Sequence, residues 1–227
     1  MRATIIGAGA SIEIAKQAGV SEKHYPPVID NFAEKLWGDP EAIGFHNYWV
    51  GDYLESLGFS VGSDPTGDFI KYEKKHRAVN IEKLFEYCWT HKGQKFEDDY
   101  QNLMYHGIAN PLNDLLIRGF CANGNKLNNL IAGQKVSKKL KDGDLVVDLN
   151  YDTLFEIAAE QANVEITFIP NKFHGKGLAV AKPHGSLNLL ADDKGFVFSQ
   201  SNCIGALPSR SDNLRNYNSI VPPLLSH

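Results

Sequence analysis

Three short turns carry the residue types that could do chemistry. The first is Gly7-Ala8-Gly9-Ala10-Ser11, which follows the β-branched run Ala3-Thr4-Ile5-Ile6 and opens a helix-like stretch to Ala18. Glycines after a strand let the backbone approach a diphosphate, and the next helix aims its free N–H groups at the anion. Ile12 stands where a full dinucleotide fingerprint has its third glycine, and Asp30, at the spacing of a ribose-binding acid, lies beyond Pro26-Pro27. A tight turn with no ligand is the alternative. The second turn is Asn150-Tyr151-Asp152, after the strand-like run Asp144-Leu145-Val146-Val147-Asp148-Leu149. Asn150 offers a donor and an acceptor to a ribose hydroxyl or a water, and Asp152 can hydrogen-bond a carboxamide. The alternative is that Asn150 makes a turn and Asp152 caps the next helix. The third is Lys182-Pro183-His184-Gly185-Ser186. A histidine at a strand end, with glycine beside it, suits general-base work near neutral pH. His24, His46, His76, His91, His106 and His174 have no supporting context.

The elements that must position these turns read as alternating strands and helices. Gly19 closes the first helix. Helices follow around Ile29–Trp37, from Phe45 to Leu57, from an N-cap at Asn80, and from about Glu97 toward Phe120, where Pro111 must kink or split the helix. Residues 58–76, rich in Gly, Ser, Asp and Pro, read as an exposed loop. Helical spacing continues through Leu127, Leu130, Ile131 and Leu140, so residues 28–140 are a largely helical stretch between the first and second strands. The run 144–149 suits a parallel strand covered on both faces. Strands at Val164–Ile169 and Leu178–Ala181 and a hairpin of Leu187–Leu190 with Phe196–Phe198 come after the helix 153–161. The expected fold is α/β: a Rossmann-like, mostly parallel sheet in one domain, 1–227, with a helical insertion of about 28–140 between its first and second core strands. Ligands on such sheets bind at the carboxyl ends of the strands, where the three turns lie.

Composition narrows the function classes. The chain has 227 residues, with 23 Lys and Arg against 27 Asp and Glu, a formal charge of −4. That balance argues against a protein built to hold nucleic acid, which needs a basic face. No apolar run approaches the roughly 18 residues that cross a bilayer, and the first residues hold no signal-peptide core. A cytoplasmic protein is expected. Cys88, Cys121 and Cys203 are scattered and supply neither a disulfide framework nor a Cys-x-x-Cys zinc ribbon. Tyr48, Trp49, Phe85, Trp89 and Tyr105 read mostly as packing residues, with an oligomerisation face as the alternative.

Taken in order, Gly7-Ala8-Gly9-Ala10-Ser11, Leu149-Asn150-Tyr151-Asp152-Thr153-Leu154 and Lys182-Pro183-His184-Gly185-Ser186-Leu187-Asn188 give the chain a pattern that resembles the sirtuin family. More closely it looks like the bacterial sirtuin-like NAD-consuming domains of anti-phage defence. The resemblance spans residues 4 to about 188, and loosely Val221-Pro222-Pro223. It implies an NAD glycohydrolase, with NAD as substrate and no zinc. It further implies that Gly7, Ala8, Gly9 and Ser11 line the diphosphate and ribose, that Asn150 positions a ribose hydroxyl or the attacking water, that Asp152 holds the nicotinamide carboxamide, and that His184 is the general base. Homo-oligomers and fused or separate effector or sensor domains are the implied partners.

The chain departs from sirtuin deacylases in lacking their four zinc cysteines and their Pro-Asp-Phe-Arg stretch, in whose place Gly19-Val20-Ser21-Glu22 and its continuation stand. Asp148-Leu149 occupies the place of their Thr-Gln. The family's last strand with its Gly-x-Ser turn has no counterpart after Pro223, so the chain is expected to end before the last core strand. Two other readings stand beside the glycohydrolase: a sensor that binds NAD, ADP-ribose or a cyclic derivative without turnover, and, further off, an NAD-dependent protein deacylase.

Overall fold

The β-branched residues of Ala3–Ile6 form β1, and the chain turns at Gly7 into α1, Ala8–Gln17. Gly19 ends this unit with a left-handed φ of +74°. The structure, a computed structural model, describes residues 2–38, 48–91, 105–122, 124–169, 171, 173–192, 195–199, 201–205 and 217–220. Single 3-10 turns at Glu22–His24 and Ile29–Asn31 lead to α2 (Phe32–Trp37), α3 (Tyr48–Ser56), α4 (Pro65–Glu73) and α5 (Ile81–His91). A π-helical turn at Tyr105–Ala109 runs into α6 (Asn110–Phe120), followed by α7 (Ile131–Ser137). Then come β2 (Leu145–Asp148), α8 (Leu154–Gln161), β3 (Ile166–Phe168), β4 (Leu178–Ala181), β5 (Gly185–Asp192), β6 (Gly195–Phe198) and β7 (Tyr217–Ile220).

These elements group into two compact units. Of the described residues, those up to Pro26 and from Asn113 to Ile220 form one, and those from Pro27 to Leu112 the other. Of the helix-rich stretch 28–140, residues 113–140 therefore belong with the sheet.

In the first unit, β1, β2, β4 and β3 form a parallel sheet in that order, the α/β architecture of a Rossmann-like fold. Among the described residues β1 is an edge strand, and Ile5 is 71% exposed. In β2, Val146 and Asp148 are buried but Leu145 and Val147 only half-buried, so this strand is less covered than its apolar run implied. Helices α1, α7 and α8 pack against one another. Gly133 makes this possible: a Cβ there would sit 2.5 Å from Ala158 Cβ and 3.0 Å from Ile14 Cδ1. The expected hairpin is present as antiparallel β5 and β6. β7, in the Asn-rich tail where no strand was expected, pairs antiparallel with β5.

The second unit is helical and closes on Phe32, Leu36, Trp49, Leu54, Phe69, Leu84 and Phe85, all buried. Trp49 and Phe85 are thus packing residues; the side chains of Tyr48 and Trp89 and the residues 92–104 lie outside the described part. The loop expected over 58–76 is corrected: it contains α4. Asp64 caps this helix by accepting from Gly67 N at 3.0 Å, and Pro65 occupies its first turn. Asp-Pro is here a helix start rather than a breaker. Asn80 caps α5 through Lys83 N, at 3.0 Å. Pro111 lies in the first turn of α6, where the wider π turn gives way to α geometry.

Glu73 on α4 is buried, and its Oε1 accepts from Ala33 N at 3.3 Å. Its Oε2 is buried without a hydrogen bond. Burial, the main cause, pushes its pKa from 4.5 to about 7. The folded state therefore holds this proton more tightly than the unfolded chain. The stability it contributes is full below about 4.5 and lost as pH rises through about 7. Glu73→Gln, neutral at every pH, should match wild type near pH 4 and melt higher above pH 7, by on the order of 2–4 °C per kcal/mol relieved. All three tryptophans fall in this unit, so fluorescence-monitored melting across pH checks it. An unchanged difference between acid and neutral pH refutes it.

Candidate functional site

The sheet register brings the three turns to one level. Ile6 pairs with Asp148, and Val147 with Ala181, so the chain leaves β1, β2 and β4 at Gly7, Leu149 and Lys182. Leu149 N donates to Ile6 O at 2.9 Å, extending the ladder one residue past the strands.

At the first turn Gly7 is the N-cap of α1 with extended backbone, φ −133°, and Ala10 N donates to its carbonyl at 2.8 Å. A Cβ on Gly7 or Gly9 would meet no atom within 4 Å. The fold's own packing does not require glycine at either position. Ser11, on the buried side of α1, donates from Oγ to Asp152 Oδ1 at 3.0 Å.

At the second turn Asn150 N donates to Asp148 Oδ1 at 3.0 Å. The Asn150 side chain is buried, and its Nδ2 makes no hydrogen bond. That leaves a buried donor unsatisfied, which a bound water or a ligand would match. The N-cap of α8 is Thr153, not Asp152 as expected. Asp152 still serves the helix start, because its Oδ1 accepts from Leu154 N at 3.1 Å as well as from Ser11. Burial first, and the charge of Asp148 second, push the Asp152 carboxyl up to about 6.

The third turn is held by Gly185 N donating to Lys182 O at 3.0 Å, with Pro183 and His184 as its two central residues. Proline pre-sets the backbone of such a turn, and Gly185 follows with a φ of +84°. His184 is half-buried, and its ring centroid lies 6.4 Å from that of Tyr151. Leu187 N donates to Tyr151 O at 2.9 Å, which ties the second turn to the third.

Sequence reasoning missed the groups beneath these turns. The Lys182 ammonium is fully buried and donates to Asp148 Oδ2 at 2.9 Å, Glu156 Oε1 at 2.9 Å and Asp152 O at 2.7 Å. Burial opposes its charge, but Asp148, Glu156 and Asp152 outweigh burial and hold the ammonium above the usual lysine range. Burial is also the main reason that Glu156 is raised, with Asp148 adding to it and Lys182 countering. The available signal was an acid inside each of two apolar runs: Asp148 between Val147 and Leu149, and Glu156 between Phe155 and Ile157.

A cleft of about 420 Å³ adjoins the first turn. It runs along the free edge of β1 and is lined by Gly7–Ala10 together with apolar residues such as Ile5, Ala132, Val136 and Phe155. Asn150, Asp152 and His184 are not among its lining residues. Among the described residues no group of three His, Cys, Asp or Glu is placed to hold a metal ion, and no helix is long and apolar enough to cross a membrane. All three cysteines are free, with Cys88 and Cys203 buried and Cys121 exposed. No protein-family model matches the sequence, and no curated protein matches it.

Ser11→Ala should lower the unfolding free energy of the sheet unit by about 1–3 kcal/mol, because Asp152 then loses a buried donor. This unit contains no tryptophan, so hydrogen exchange in α8 or far-UV circular dichroism is the suitable measurement. Unchanged protection of α8 would show that the Ser11–Asp152 bond contributes nothing.

Proposed function

We propose that the chain is an NAD glycohydrolase of the sirtuin-like kind, acting in bacterial anti-phage defence, with its helical unit as an insertion between the first and second core strands. The observation that carries the reading is the side-chain amide of Asn150, buried and unpaired at the carboxyl end of β2. Its Nδ2 is a buried donor with no partner in the chain, as is Thr153 Oγ1 three residues on, and a ribose hydroxyl or a water from outside would satisfy it. The level exit of the three turns and the unfilled space at Gly7 and Gly9 support the same reading.

The diphosphate would lie on Gly7, Ala8 and Gly9, facing the N-terminus of α1, with Ser11 supporting the adjacent Asp152. Asn150 Nδ2 would donate to a ribose hydroxyl or to the attacking water. Asp152 Oδ1 is taken by Ser11 and Leu154, so contact with the nicotinamide carboxamide falls to Oδ2. In the reaction the bond between C1′ and the nicotinamide nitrogen breaks, and nicotinamide leaves as a neutral base with the bonding pair. The ribose passes through an oxocarbenium-like state. A water oxygen then bonds to C1′, and its proton passes to His184, directly or through a ribose hydroxyl, and on to solvent. The products are nicotinamide, ADP-ribose and a proton.

A second reading, a sensor that binds NAD, ADP-ribose or a cyclic derivative without turnover, draws on the cleft, whose lining includes the glycine turn but not Asn150 or His184. Chromatography of purified protein incubated with NAD separates the two: nicotinamide release supports the enzyme, and tight binding without release the sensor.

His184→Ala and Asn150→Ala should each cut nicotinamide release by about 10²-fold or more with an unchanged circular dichroism spectrum. Wild-type rates in both would end the assignment. Gly9→Ala should stabilise α1 by about 0.5–1 kcal/mol, since alanine suits a helix better than glycine. The same change should weaken NAD binding at least about tenfold, 1.4 kcal/mol, by filling the space that a diphosphate needs. Calorimetric titration and thermal melting read the two effects on one sample; tighter or equal binding contradicts the diphosphate placement.

A further inference from the structure

We propose that Lys182 is a positioning residue of this site: its buried ammonium locks the ends of β2 and β4 and the start of α8 together, so that the Asn150–Asp152 turn and the Pro183-His184 turn keep one mutual geometry. The inference rests on the reading of these turns as a single site.

An ammonium has three N–H donors, and Lys182 uses all of them on three different segments. Asp148 is the last residue of β2, Asp152 O belongs to the second turn, and Glu156 lies on α8. No donor is left for a substrate, so Lys182 acts through its neighbours. Its main chain carries the other half of the device. Lys182 O accepts from Gly185 N and thereby forms the turn that has His184 at its centre. One residue thus fixes the second turn through its side chain and the third through its backbone.

Mere space-filling does not explain this choice. Well-packed apolar residues often stabilise a protein as much as a buried ion pair does. What the ion cluster adds is direction, because each bond fixes an acceptor on a different element. Arginine would not substitute: its rigid planar fork does not match three acceptors converging on one point.

The test compares Lys182→Met with the triple variant Lys182→Met/Asp148→Asn/Glu156→Gln. Lys182→Met leaves buried carboxyls without their cation and is expected to melt early. The triple variant neutralises the two carboxylates that bond the ammonium, leaving Asp152 with its Ser11 and Leu154 donors, and is expected to melt closer to wild type than Lys182→Met. In the folded triple variant, kcat for nicotinamide release should fall by about 10²-fold, as misplacement by about 1 Å can cause, while KM stays within about threefold. The His184 ring resonance, assigned in histidine-labelled protein by its loss in His184→Ala, should move. A wild-type kcat, or an unmoved His184 resonance, in the folded triple variant overturns the proposal. Should wild-type protein release no nicotinamide, the glycohydrolase reading fails on its own, and the His184 resonance still decides the role of Lys182: a shift sustains it, and no shift overturns it.

Discussion

A charged ammonium leaves water only where every one of its protons finds an acceptor, and the sheet unit is organised around one that does. Stripping the hydration from a lysine costs several kcal/mol even after the protein relaxes. Lys182 recovers this through three bonds of 2.7–2.9 Å. The cluster is not balanced in simple charge, since Asp148, Asp152 and Glu156 surround a single cation. Burial corrects the excess by making Asp152 and Glu156 hold protons more tightly than they would in water. Breaking one side of such a cluster typically destabilises by about 3–5 kcal/mol, because the remaining ions stay buried and unpaired.

From that ammonium the hydrogen bonds spread outward in order. Asp148 gives one oxygen to Lys182 and the other to Asn150 N. Asp152 gives its carbonyl to Lys182 and its carboxyl to Ser11 and to Leu154 N. Tyr151, between them, receives Leu187 N from the strand after His184. The set links α1, β2, α8, β4 and β5 without a break. Among the described residues, Asn150 Nδ2, Thr153 Oγ1, Glu156 Oε2 and Asn188 Oδ1 are buried without a hydrogen bond, and the imidazole of His184 also stands outside the set. Of these, Asn150 and His184 lie in the turns at the strand ends, where ligands of such sheets bind.

Much of this frame was legible before any coordinates. Gly7, Asn150 and His184 lie at the ends of strands whose apolar runs and turn residues announce them, and parallel pairing turns sequence order into spatial neighbourhood. What stayed hidden had two causes. Asp64-Pro65 carries both a loop composition and a helix start, and only the burial of Phe69 decides between them. Lys182 was visible within its motif, but its partners Asp148 and Glu156 sit 34 and 26 residues away. Local pattern has no access to such pairings; they follow from register. β7 was missed for a related reason: Tyr217–Ile220 lies in a polar tail without apolar alternation, and its pairing with β5 supplies the order.

The glycines make a separate argument about what the fold needs for itself. At Gly133 the helices α7, α8 and α1 leave no room for a methyl group, and at Gly177 a Cβ would strike the backbone carbonyl of Glu165 while φ is +74°. Both positions demand glycine from within. Gly7 and Gly9 answer to neither demand: the space around each is open, and neither has a left-handed φ. Gly9 even lies within α1, where glycine costs about 1 kcal/mol against alanine. A helix that gives up stability at its first turn, directly beside a strand end and an apolar cleft, has backbone N–H groups accessible to an anion at close range. The cost at Gly9 and the unmatched amide of Asn150 therefore point the same way. Each is a local disadvantage to the folded chain alone, and the ligand proposed above, with a diphosphate at one end and a ribose at the other, would turn each to use.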